Sequence, residues 1–210
     1  MSAKTSTAAG LRPADVLWAL TLVVVIGYLL LHNFAWGGGG FKRIPVGPLE
    51  LSVFGLLAAL DMLFGVYLIH RWCERFGLDW ETLVRGLPWI ILLGYYISHL
   101  VSVAFYFPED LTDPIALLDP RTRISSFGGM YGGGLVAVLF LRRHGLPVAR
   151  YADPLAYGFV GGYVFGRAGC FAIHDHPGVD TDFPLAVEIG GVRRHDLGFY
   201  EMLLMLTLLI

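Results

Sequence analysis

Gly166-Arg167-Ala168-Gly169-Cys170-Phe171 closes an apolar stretch that begins near Pro154 and opens directly into His174-Asp175-His176-Pro177-Gly178. At roughly 20 residues the stretch is long enough to cross the hydrocarbon core of a bilayer as a helix. An arginine in the last turn of such a run, followed at once by three ionisable side chains, is costly unless something anionic uses it. These residues therefore mark both a membrane helix and the candidate active site at its end.

The rest of the chain agrees about the solvent. Apolar residues make up 56% and charged residues 15% of the 210 positions, and the mean hydropathy is +0.64, far from the balance of an ordinary soluble domain. About six runs are long enough to span: 15–35, 48–70, 84–107, 126–141, 154–173 and one from 197 that is still apolar at Ile210. The expected fold is an all-α polytopic integral membrane protein, and the last helix is expected to continue beyond Ile210. Residues 1–45 form an extra N-terminal helix with a glycine-rich linker, Gly37 to Gly40, and residues 46–210 form the membrane domain. The first run is long for a signal-peptide core, and Asn33-Phe34-Ala35-Trp36 is a poor cleavage site, so a retained helix is expected. With a formal charge of −2 nothing suggests a nucleic-acid partner.

Lysines and arginines orient the spans. Lys4 and Arg12 place the N-terminus in the cytoplasm; Arg71, Arg75 and Arg85, then Arg142, Arg143 and Arg150, fall in inner loops, while Glu109, Asp110 and Asp113 suit the outer face. Lys42, Arg43, Arg121, Arg123, Arg193 and Arg194 are also outside in this reading, where anionic lipid headgroups would suit them. Arg167, His174, Asp175, His176, Arg193, Arg194, His195 and Asp196 then gather at the outer boundary, with 178–195 a short extramembrane excursion, such as a small hairpin. A charged cleft bordered by apolar helices suits an amphiphile whose head is handled while its tails stay in lipid.

Glycines recur through the fourth and fifth runs. Gly158, Gly161, Gly162, Gly166 and Gly169 read as close helix packing. In the cluster Gly128, Gly129, Gly132, Gly133 and Gly134, beside Ser125 and Ser126, bare backbone offers a headgroup room to approach. No nucleotide-binding phosphate loop is present.

Several motifs in order resemble the prolipoprotein diacylglyceryl transferase family. Val46-Gly47-Pro48-Leu49, Phe54-Gly55-Leu56-Leu57, Ser126-Phe127-Gly128-Gly129, Gly166-Arg167-x-Gly169-x-Phe171 with Asp175 and Gly178, and His195 followed by Tyr200-Glu201 are similar to the family's I-G-P-L, Y-G-L, S-F-H-G-G, G-R-x-G-N-F-x-N-x-E-x-x-G and H-P-S-Q-L-Y-E. Asp153 stands where the family has an aspartate ahead of its G-R motif. The resemblance implies a bacterial inner-membrane transferase that moves diacylglyceryl from phosphatidylglycerol to the lipobox cysteine thiol of a secreted prolipoprotein, without a metal or other cofactor. Arg167 would hold the lipid phosphate, for which a planar guanidinium is well shaped. Ser126, Gly128, Gly129, His99, Cys170, Gly178, His195 and Tyr200 would line the substrate site.

The departures from the pattern are as informative. Phe127 replaces the family's histidine, Cys170 and Ile173 replace its two asparagines, Asp175 replaces its glutamate, and His99 stands where an arginine is common. A replacement base is available in His174 and His176 beside Asp175, since imidazole titrates near neutrality. The same tripeptide also reads as a polar helix end, or as two metal ligands that need a third such as His195 or His99. Cys170 reads as a packing residue or as a thiol made nucleophilic by Arg167, and Cys73, at the opposite boundary, is too distant for a disulfide with it. Two further classes stay open: a divergent relative that binds anionic lipid or modifies another acceptor, and a metal-dependent membrane enzyme using His174, His176 and His195.

Overall fold

A computed structural model describes residues 10–36, 42–120 and 123–209; Lys4, the Gly37–Gly40 run and Arg121 lie outside them. The protein is mostly helical: α1 Pro13–Leu30, α2 Val53–Phe76, α3 Trp80–Tyr106, the short α4 Pro114–Leu118, α5 Ser126–Arg143, α6 Val148–Ile173 and α7 Leu197–Leu209. Each expected apolar run thus contains a helix. Among the described residues three stretches, Pro13–Ala35, Val53–Phe76 and Trp80–Tyr106, are long and apolar enough to cross a membrane. The first is completed by a π turn, Leu31–Ala35. Charge and glycine content dilute α5 and α6, α5 ending on Arg142-Arg143 and α6 carrying Arg150, Asp153 and Arg167, while α7 is apolar but shorter.

The chain folds as two compact units, one comprising the described residues up to Arg75 together with those from Pro154 onward, the other Phe76–Asp153. In the first, Leu29 of α1, Val53, Leu57 and Phe64 of α2, Val164, Phe165, Ala168 and Phe171 of α6, and Phe199 and Met202 of α7 form one buried cluster. Trp18 of α1 packs on Phe64 with ring centroids 4.9 Å apart. The charged end of α1 is tied to α2, with Arg12 2.9 Å from Glu74 and Arg71 3.2 Å from Asp15, whose carboxylate also accepts from Tyr67.

Two departures from the expected all-helical chain occur in this unit. Residues 43–52 form a hairpin, β1 Arg43–Val46 and β2 Leu49–Ser52, so that α2 starts at Val53 and not near Pro48. Gly47, at φ +59°, supplies the left-handed residue that a two-residue hairpin turn requires. The excursion after α6 is a three-stranded antiparallel sheet of β3 Pro177–Asp180, β4 Val187–Ile189 and β5 Val192–Asp196, ordered β3-β5-β4. Gly190 and Gly191, both at positive φ, make the β4–β5 turn.

In the second unit α3 and α5 lie side by side. A Cβ at Gly128 would stand 2.7 Å from Val101 Cβ, one at Gly132 2.6 Å from Ile97 Cβ, and one at Gly94 2.9 Å from Gly133 Cα. These glycines bring the helices into contact, in the small-xxx-small manner. Ser98 fastens the start of α5, its hydroxyl donating to Ser125 O at 2.6 Å and accepting from Ser125 N at 2.9 Å. The helix ends in a Schellman motif, with Leu146 N donating to Leu141 O and Gly145, at φ +68°, donating to Arg142 O.

Candidate active site

The site is assembled where α6 ends, the sheet begins and α7 returns. Arg167 lies two turns from the end of α6 with its side chain 11% exposed, and Nε stands 2.5 Å from Glu201 Oε2 of α7. The guanidinium covers the Tyr163 ring at 4.7 Å, and Nη1 donates to Cys170 Sγ at 3.7 Å. A fixed, permanently charged planar fork has the shape to receive a planar or tetrahedral oxyanion.

The tripeptide after α6 splits into two histidine–aspartate pairs of opposite character. His174 is buried, and its Nδ1 lies 2.6 Å from Oδ2 of Asp196, itself fully buried. The other oxygen of Asp196 accepts from Phe199 N at 3.0 Å and so caps α7. By contrast, His176 Nδ1 lies 2.6 Å from Asp175 Oδ1 with both side chains open to solvent, 46% and 35% exposed. Cys170 Sγ, a carboxylate oxygen of Asp175 and a ring nitrogen of His176 all fall within 4.8 Å of one another. Of the tripeptide expected from the sequence, only His176 and Asp175 join Arg167's neighbour Cys170, while His174 turns to Asp196.

The remaining expected residues separate in the same way. His195 Nδ1 pairs with Tyr200 OH at 2.6 Å, so the three histidines of the metal reading are engaged by three different partners. Gly178 backs onto β5, where a Cβ would stand 3.1 Å from His195 O. His99, Ser126, Gly128 and Gly129 belong to the other unit. There His99 is 1% exposed, with ring nitrogens 2.8 Å from Ala116 O and 3.2 Å from Arg123 O, bracing the connection between α3 and α5. Ser125, rather than Ser126, caps α5 by accepting from Gly128 N.

Three of the six outer cations read as a headgroup patch are paired with acids: Arg43 with Glu50 at 2.6 Å, Arg194 with Asp180 at 3.1 Å, and Arg123 with Asp110. Neither Cys73 nor Cys170 is in a disulfide.

Sequence reading gave no role to several residues. Asp196 and Glu201 were visible only as members of charged or motif clusters, because their partners lie 22 and 34 positions earlier. Gly198 brings α7 against α6, where a Cβ would stand 2.9 Å from both Cys170 Cβ and Phe171 N. Asp61, a carboxylate inside α2, faces the bare backbone of Gly162 and Gly166; an intramembrane acid is itself a signal worth reading.

The comparisons with known proteins bear on this geometry. Residues 42–210 match the family described as prolipoprotein diacylglyceryl transferase. Among curated relatives, the phosphatidylglycerol–prolipoprotein diacylglyceryl transferase of Escherichia coli is 31% identical over 157 residues, 72% of this chain and 54% of that protein. The protein of the same description from Synechococcus elongatus is 28% identical over 156 residues, 74% of this chain and 54% of the relative. The one from Thermus thermophilus is 30% identical over 129 residues, 60% and 46% respectively. The chain spans about half the length of the curated relatives it matches. With Arg167 at the end of α6, the sheet after it and α7 returning all inside the matched span, this chain belongs to the prolipoprotein diacylglyceryl transferase family.

Proposed function

We propose that this protein transfers a diacylglyceryl group from phosphatidylglycerol to the lipobox cysteine thiol of a secreted prolipoprotein, in the cytoplasmic membrane of a bacterium. Its N-terminus is cytoplasmic and the site opens at the outer face. The observation that carries the reading is the largely buried Arg167, clamped by Glu201 and Tyr163, with Cys170 one turn on lying beside an exposed Asp175–His176 pair.

In this reading Arg167 receives the lipid phosphate, and His176, oriented by Asp175, takes the proton of the incoming thiol. The thiolate sulfur attacks the glyceryl carbon bonded to the phosphate ester oxygen. A C–S bond forms, that C–O bond breaks, and its electron pair leaves on glycerol phosphate. Arg167 stabilises the negative charge on the departing group, the place where fixed donors lower a barrier most. His174, buried and bonded to Asp196, is a positioning residue that fixes the direction of the chain as it leaves α6.

Purified full chain in detergent, given phosphatidylglycerol and a lipobox peptide, is expected to release glycerol phosphate and form the thioether. Release falls at least about 100-fold in His176→Ala, the range seen for loss of a general base, and is not lost on treatment with a chelator. Lipid binding without release would favour a relative that only holds anionic lipid. Loss of turnover on chelation would favour a metal-dependent enzyme.

A further inference from the structure

We infer that Cys170, Asp175 and His176 form a binding site for a thiophilic divalent cation of the zinc class. Their ligand-capable atoms already lie within 4.8 Å of one another. They combine the three donor types, thiolate, imidazole and carboxylate, that such an ion takes. A tetrahedral ion holds sulfur at about 2.3 Å and nitrogen or oxygen at about 2.0–2.2 Å, so neighbouring ligand atoms sit about 3.5 Å apart. The 2.6 Å contact between Asp175 and His176 opens by about 1 Å to admit it, and Cys170, within 4.8 Å of both, closes by about 1.3 Å at most. Both are small side-chain rotations, and the exposed imidazole and carboxylate leave the ion a path from solvent and a fourth position for water.

The local charge fits. A thiolate and a carboxylate balance a divalent ion, and the neighbouring guanidinium of Arg167 is already compensated by Glu201 at 2.5 Å. Two of the three ligands, Cys170 and Asp175, stand where the sequence departs from the family motif, so the departures converge on one point in space. Resting on the proposed function, occupancy of this site withdraws His176 from the thiol and makes the ion an inhibitor of transfer.

Purified full chain is titrated with Zn(II) and, as a spectroscopic probe, with Co(II). The site binds one equivalent of Zn(II), and Co(II) develops a thiolate-to-metal absorption band. The band disappears in Cys170→Ser and persists in Cys73→Ser. Zn(II) binding weakens by at least about 100-fold in His176→Ala, the upper end of what loss of an outer-shell partner costs a metal site. Because His176 is half exposed, that variant reports on the site even if Cys170→Ser does not fold. Absence of a thiolate band in the parent protein, or its survival in Cys170→Ser, overturns the assignment. So does Zn(II) affinity that is unchanged in His176→Ala. These readouts need no turnover, so a chain that binds Zn(II) through Cys170 but transfers nothing would sink the proposed function and leave the metal site standing.

Discussion

The α3–α5 pair and the α6–α7 junction are both rich in glycine, yet they use it differently. Between α3 and α5, Gly94, Gly128, Gly132 and Gly133 meet side chains or backbone of the facing helix, and the nearby polar groups, Ser98 and His99, turn to backbone carbonyls. Around α6 the same residue type makes room for ionisable side chains: Gly162 and Gly166 face Asp61, and Gly198 adjoins Cys170 and Asp196. One seam is a device for closeness alone. The other combines such packing, at Gly158 and Gly161, with room for ionisable side chains beside the core.

Removing the buried anchor of the junction has the largest expected effect. Asp196→Ala leaves His174 Nδ1 and Phe199 N without their carboxylate, at a combined expected loss of about 3 kcal/mol. Asp175→Ala, at an exposed pair, loses under about 1 kcal/mol. Thermal unfolding of the two variants in the same detergent checks the contrast, and equal melting temperatures would break it.

Next comes Arg167→Lys, which keeps the charge but loses the planar fork. Transfer is expected to fall about 100-fold, or about 2.7 kcal/mol in the barrier, with little change in melting temperature. Near-normal transfer would make Arg167 a structural residue like those of the α3–α5 seam.

Within that seam, Gly132→Ala drives a methyl into Ile97 and costs about 1–3 kcal/mol. Gly134→Ala meets nothing within 4 Å and gains up to about 1 kcal/mol from helix propensity. Melting temperatures moving in opposite directions would confirm that position and not composition decides.

The smallest expected effect sharpens the boundary of α3. Hydrogen bonds from the Thr82 hydroxyl and Thr82 N–H hold the Asp79 carboxyl below its ordinary value of 3.8. A depressed pKa contributes stability that is complete above the ordinary value and lost as pH falls through the folded one. The acid limb of the melting profile below about pH 4 should therefore flatten in Asp79→Asn, which still accepts from Thr82 but does not titrate.

The helices were legible because apolar runs of membrane length have few alternatives. The hairpin at 43–52 was not, since Pro48-Leu49 merges without a break into the apolar run that follows, and only the left-handed Gly47 marks the turn. At the site, Arg167 and the residues one helical turn on were legible from spacing along α6. What periodicity cannot show is a partner delivered by another element: Asp196 to His174, Glu201 to Arg167, Asp61 to Gly162. The close packing at Gly128 was hidden for a related reason, because the side chains of α3 that fill the space there lie about 27 positions earlier.

His174 leaves α6 at φ +53°, a left-handed conformation that costs a residue with a Cβ about 1 kcal/mol or more. The bond that offsets that cost comes from Asp196, at the end of β5 and paired with Pro177 across the sheet. The stop of α6 is thus written in a residue made 22 positions later. During synthesis the helix has no fixed end until β5 has emerged and closed onto it, so the geometry of Cys170, Asp175 and His176 is set late. A nascent chain halted before Asp196 would carry every one of those side chains and still have no site.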